Sequence, residues 1–128
     1  MSLRIVRLGS PRVAGEGLRI GTVRRLPRGV PKAEYASRDY FDIWLPNLAP
    51  SAELVKEARA ATGEKEWGAF VRAFRKEMER PEPAKVLDLL AALSHSTDLS
   101  VGCYCEDESR CHRSVLRELF ALRGAAIV

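Results

Sequence analysis

Residues 99–124, LSVGCYCEDESRCHRSVLRELFALRG, narrow the fold more than any other stretch of this chain. LSVGCYC is a short apolar run with strand character, and EDESR is a polar turn. CHRSVLRELFALRG then places Val115, Leu116, Leu119 and Phe120 at the spacing of an amphipathic helix, with Gly124 set to cap its end. A strand that turns straight into a helix is a unit of α/β architecture. LRIVRL, at Leu3 to Leu8, mixes apolar and basic positions in rough alternation, as a half-buried strand does. LRIGTVRRL, after the turn chemistry of SPRVAGEG, is a second short strand, and AAIV at 125–128 fits a last one.

The middle of the chain reads as helix. Ser51, following Pro50, is the expected N-cap of AELVKEARAA, with Glu53 in the first turn and Gly63 ending the element. A second helix is predicted over 64–79, where Trp67, Phe70, Val71, Phe74 and Met78 form one stripe, the signature of core packing. After RPEP, the segment AKVLDLLAALSH offers Val86, Leu89, Leu90 and Leu93 as a wide apolar face, and His95 closes it as a cation at a helix end. Pro27, Gly29 and Pro31 break the chain between the strands and the helices. YFDIWLPNLAP, interrupted by prolines, is an irregular buried segment or a short strand, with Trp44 in the core or a pocket wall. Strands interleaved with helices predict one domain over 1–128, an α/β fold with a small, largely parallel sheet flanked by helices.

Composition excludes several classes. With 46% hydrophobic and 30% charged residues the balance is that of an ordinary globular domain, and no apolar run nears the roughly 20 residues that span a bilayer. MSLRIVRLGS lacks an apolar signal core, so no membrane partner and a cytoplasmic location are expected. Three cysteines make a poor disulfide framework and suit a reducing compartment. Charge is uneven: through Asp39, nine Lys and Arg residues face only Glu16, Glu34 and Asp39. That basic third is read mainly as solvated surface, with nucleic acid the weaker alternative partner.

All three cysteines, Cys103, Cys105 and Cys111, fall within nine residues, beside His112 and Arg113. In open α/β sheets ligands bind beyond the carboxyl ends of the strands. The first turn of the following helix offers unpaired N–H groups and a positive dipole end, which favour thiolates and bound oxyanions. Cys105 or Cys111 is therefore the candidate nucleophile, with His112 as acid–base and Arg113 or Arg110 gripping an anion. The spacing differs from the phosphate cradle of cysteine phosphatases, because Cys111 stands where their arginine would, and Glu106, Asp107 and Glu108 oppose a dianion. C-x-C-x5-C-H also supplies four metal donors, which keeps a structural zinc site as an alternative. Against it, Cys111 and His112 would be about 100° apart if both lay on a helix. No metal and no cofactor is assigned on this reading. A Cys105–Cys111 redox pair is a further alternative, and Cys103 fits a buried small hydrophobe.

PRG at Pro27–Gly29, WLPNLAPS at Trp44–Ser51, EWGAFVRAFRKEM, and a strand followed by C-x5-C-H-R occur here in a fixed order. In that order the chain resembles domain-of-unknown-function family 488, whose members include the YeaO-like proteins, over nearly its whole length. The resemblance implies a small α/β protein without an established activity. It points to Arg28 and Gly29 in the first motif and to Cys105, Cys111, His112 and Arg113 in the second. The family's first motif often carries an acid and a tryptophan before the proline, whereas this chain has RRLPRG. Arg28, between Pro27 and a glycine that lets backbone approach a ligand, suits an anion contact. The expected function is an enzyme, or a ligand-binding protein, acting on a small anionic or nucleotide-like molecule at this Cys/His/Arg site. A noncatalytic nucleic-acid-binding or regulatory module is the competing class.

Overall fold

Four strands, β1 (Leu3–Arg7), β2 (Leu18–Gly21), β3 (Ile43–Trp44) and β4 (Leu99–Cys103), pair in the order β1-β4-β2-β3, and every pairing is parallel. The structure, a computed structural model, describes all residues from Met1 to Val128. The helices are α1 (Ala52–Ala60), α2 (Glu64–Met78), α3 (Pro81–Leu93) and α4 (His112–Leu122), so the expected α/β domain with a parallel sheet is the fold observed. None of its helices is long and apolar enough to cross a membrane.

The pleat gives the two sheet faces different chemistry, since successive residues of a strand point to opposite sides. Leu3, Ile5, Ile20, Leu99 and Val101 join Phe70 and Phe74 of α2, Leu87 and Leu90 of α3, and Leu116 and Phe120 of α4 in the main core. At roughly 25 cal/mol per Å2 of apolar surface removed from water, that face is the chief source of stability. On the other face Arg19 is fully buried and meets Glu16, with Nε–Oε1 at 2.5 Å. Arg19 also donates to the carbonyls of Ser10 and Asp39, and the Ser100 hydroxyl donates to Glu16 at 2.9 Å. Burial alone would raise the Glu16 carboxyl. Hydrogen bonds from Arg19, the Val13 amide and Ser100 reverse that and hold it down to about 2. Gly102 is needed in β4, because a Cβ there would lie 2.8 Å from the Val6 carbonyl oxygen and 2.7 Å from Leu8 Cδ2.

Several local expectations change. Gly63 is not the end of α1, which stops at Ala60, but the N-cap of α2, in extended backbone that releases its carbonyl to the new helix. Helix α3 buries Pro83, Leu87, Leu90 and Ala91, whereas Leu89 and Leu93 are exposed. The helix is turned by about one position from the predicted face, because its contacts run to α2, α4 and the 46–48 turn. AAIV contributes only a bridge between Ile127 and Leu3. Trp44 lies on the two-residue edge strand β3, 40% exposed, and its indole N–H donates to the Val23 carbonyl at 2.7 Å. The Ser51 cap is present, its hydroxyl accepting from the Leu54 amide. His95, just past α3, bonds through Nε2 to the Gly124 carbonyl at 2.7 Å.

Candidate functional site

Strand β4 ends at Cys103, and the chain reaches α4 through a single 3-10 turn, Glu108–Arg110. Asp107 caps that turn by accepting from the Ser109 amide, and Arg117 of α4 clamps it through both Glu108 oxygens at 2.7 and 2.9 Å. Cys111 follows in extended backbone (φ −130°, ψ 151°) as the N-cap of α4. This placement removes the objection that Cys111 and His112 diverge on a helix: Cys111 is not helical, and its Sγ lies 3.8 Å from His112 Nδ1.

The turn gathers the cluster. Cys103 and Cys111 are buried and Cys105 is exposed; all three are free thiols. Cys103 Sγ lies 3.9 Å from Cys105 Sγ. His112 is buried edge-on against Phe74, and its Nε2 is 2.6 Å from the Thr22 carbonyl. A carbonyl only accepts, so Nε2 carries the proton and Nδ1 presents its lone pair to the sulfur. Burial lowers the imidazole to about 4, so the ring is neutral at ordinary pH.

Arg113 is 3% exposed and forms no ion pair with any carboxylate. Its Nε is 3.4 Å from Cys111 Sγ and its Nη2 donates to the Cys105 carbonyl at 2.5 Å. A guanidinium buried without a partner is costly, and a thiolate at Cys111 is the anion at hand. Hydrogen bonds from Cys103 and Cys105, together with the amide and guanidinium of Arg113, bring Cys111 well below the ordinary thiol range despite burial. The same contacts raise Cys103, which keeps its proton. Cys105 is drawn down by Cys103, but the sulfur of Cys111 and burial outweigh that and raise it. Of the three thiols, Cys111 is the one most readily ionised.

A cleft of about 350 Å3 opens onto this cluster. Cys103, Cys105, Cys111 and His112 reach its wall, together with apolar Val55, Phe70 and the half-buried Trp67. Arg24, Arg25, Arg59 and Arg110 also border it, and no Asp or Glu does. Arg24 is occupied by the carbonyls of Pro46, Ala49 and Pro50, and Arg110 pairs with Glu64 while lying 5.7 Å over the Trp67 ring.

Of the residues singled out in the sequence, Cys105, Cys111 and His112 meet in the cleft, and Arg113 stands behind Cys111 rather than in the opening. Arg28 does not border the thiol cleft. It borders an adjoining depression that shares Arg25, Arg59 and Tyr104 with it. Gly29 takes φ +69°, the left-handed turn that favours glycine, with nothing crowding its missing Cβ. Arg25, Arg59, Trp67 and Tyr104 were not foreseen as site residues. Only the stripe carrying Trp67 hinted at any of them, and it read as core.

Metal donors are also close together. One ligand atom each from Cys103, Cys111 and His112 lies within 4.8 Å of the others, and His112 already has the second-sphere hydrogen bond usual for a ligating imidazole.

Fold and site together define a single α/β domain with a buried Cys/His/Arg centre beyond the carboxyl end of a central parallel strand. The chain belongs to domain-of-unknown-function family 488: residues 3–124 match the family model DUF488-N3a, described as the "Active DUF488-N3 subclade". No curated protein and no solved structure matches it.

Proposed function

We propose that the protein is a thiol-dependent enzyme acting on a small anionic or nucleotide-like molecule bound in the 350 Å3 cleft. The observation that carries this reading is the buried Arg113 guanidinium, which faces Cys111 Sγ at 3.4 Å and has no carboxylate partner. Cys111 is the nucleophile: its sulfur bonds to an electrophilic atom of the ligand while the leaving group departs with the bonding electron pair. Water then displaces the sulfur, and His112 Nδ1 takes the proton of that water. Arg113 positions the thiolate. Cys105 is the exposed thiol at the mouth, Arg28 borders the adjoining depression, and Gly29 shapes the turn that carries Arg28 without lining either cavity. The "Active" in the description of the matching subclade is in keeping with a catalytic member. Free thiols throughout suit a reducing cytoplasm.

The test is site-resolved alkylation with iodoacetamide. Modification concentrated on Cys111 at mildly acidic pH, and abolished by Cys111→Ser, supports the reading. Cys111 that reacts only near the free-thiol value of about 8.5 sinks it.

One observation favours a second reading, a zinc centre: the convergence of Cys103, Cys111 and His112 within 4.8 Å, with Cys105 at hand as a fourth ligand. Near-stoichiometric zinc after purification without chelators, together with protection of Cys111 from alkylation, is its outcome.

The nucleic-acid reading draws less support from the structure. Arg12, Arg19 and Arg38 of the basic third pair with acids within the fold, and Arg19 is wholly buried.

A further inference from the structure

We infer that the depression beside the thiol cleft is a phosphate subsite formed by Arg25, Arg28 and Arg59, and that the ligand is a small phosphomonoester whose unphosphorylated end reaches Cys111. This inference rests on the thiol-site reading for the ligand's reactive end, but the subsite itself stands on separate residues.

Only some of the cations around the cleft remain free. Around the cleft, Arg24 is bound to three backbone carbonyls, Arg110 to Glu64, and Arg113 to Cys111 and the Cys105 carbonyl. Arg25, Arg28 and Arg59 have no side-chain hydrogen bond and no ion pair, and all three border one depression of about 350 Å3. They come from the loop after β2 and from the last turn of α1, so the fold brings them together from distant parts of the chain. No Asp or Glu borders the depression. Like charges gathered without a counterion repel one another, and a bound anion relieves that repulsion.

The loop carrying two of them is stiffened. Pro27 restricts one torsion, Gly29 takes the left-handed turn, and the Tyr104 hydroxyl donates to the Arg25 carbonyl at 2.9 Å. Tyr104 follows Cys103 directly and borders both depressions, so the anchor of the basic loop is also the partition between the subsite and the thiols. Guanidinium groups match phosphate oxygens through paired N–H donors, which favours phosphate over a single carboxylate. Within the thiol cleft, Trp67, Phe70 and Val55 contribute an apolar lining suited to a flat or aromatic body. A nucleoside monophosphate has both parts.

The experiment titrates full-length protein with inorganic phosphate and with adenosine 5′-monophosphate, following 31P line broadening and calorimetry, and measures Cys111 alkylation in parallel. Both probes are expected to bind. Arg28→Ala and Arg59→Ala should each weaken binding on the order of tenfold, the usual size of a lost charge-assisted contact. Cys111→Ser should leave phosphate binding unchanged. The nucleotide, but not phosphate alone, should slow Cys111 alkylation. Absence of phosphate binding, or binding indifferent to both arginine variants, overturns the subsite and leaves the thiol reading to its own test. Phosphate binding through these arginines with an unreactive Cys111 keeps the subsite and sinks the thiol reading. A single-stranded oligonucleotide that binds far more tightly than the monophosphate, and weakens steeply with salt, overturns the small-ligand assignment. Thermal melts of each variant show whether it is folded.

Discussion

His112 Nε2 donates to the Thr22 carbonyl at 2.6 Å, and so ties the first residue of α4 to the end of β2. Thr22 is itself fixed, its amide and hydroxyl both donating to the Gly102 carbonyl of β4. The imidazole is thus a strut between helix and sheet as well as the group facing Cys111. His112→Ala leaves a buried carbonyl unpaired and a void beside Phe74, and should cost about 2–4 kcal/mol in urea unfolding. Cys105→Ser, at an exposed position, should stay within about 0.5 kcal/mol of the parent.

Alkylation should separate the thiols by pH. Cys111 lies well below the ordinary thiol range, so its rate should be nearly flat between about pH 5 and 8. Cys105 is raised, so its rate should climb through the alkaline range. Arg113→Met removes the facing guanidinium and should shift the Cys111 profile upward. Peptide mapping of the labelled protein reads both residues in one sample.

Zinc should compete for the same sulfurs. Added zinc is expected to suppress Cys111 alkylation, and a chelator to restore it, because Cys103, Cys111 and His112 converge. An alkylation rate insensitive to zinc would show that the three donors do not act together.

The Glu16–Arg19 pair predicts acid sensitivity. Folding lowers the Glu16 carboxyl from 4.5 to about 2, so the ionised form favours the native state. The linkage contributes roughly 3 kcal/mol, fully present above about pH 4.5 and lost as pH falls through about 2. Glu16→Gln strands a buried guanidinium and should cost about 3–5 kcal/mol at neutral pH, with a flatter acid limb in denaturation curves.

Periodicity made the strands, the helices and the parallel sheet legible, because burial of one face writes itself into residue spacing. It did not show which of two neighbouring apolar stripes on α3 would find a partner. Leu89 and Leu93 are as apolar as Leu87 and Leu90, and only tertiary contacts decide between them. The thiol cluster was visible as three cysteines in nine residues, but its geometry was not. The 3-10 turn at Glu108–Arg110 leaves Cys111 as a cap rather than a helical residue, and no periodic signal marks a single turn. Arg25 and Arg59 escaped notice because they become neighbours only when the loop after β2 meets the end of α1.

The strand order carries one more consequence. β1 and β2 are separated in the sheet by β4, whose Leu99 pairs with both Leu3 and Leu18. β1 has no strand neighbour, and β2 has only the two-residue edge strand β3, until a segment beyond all three preceding helices is threaded between them, an assembly rich in long-range contacts and therefore slow. Cys111 follows that last-arriving strand, so a half-assembled chain carries the three cysteines but not the cleft they line. On the thiol reading, reactivity is withheld until folding is complete.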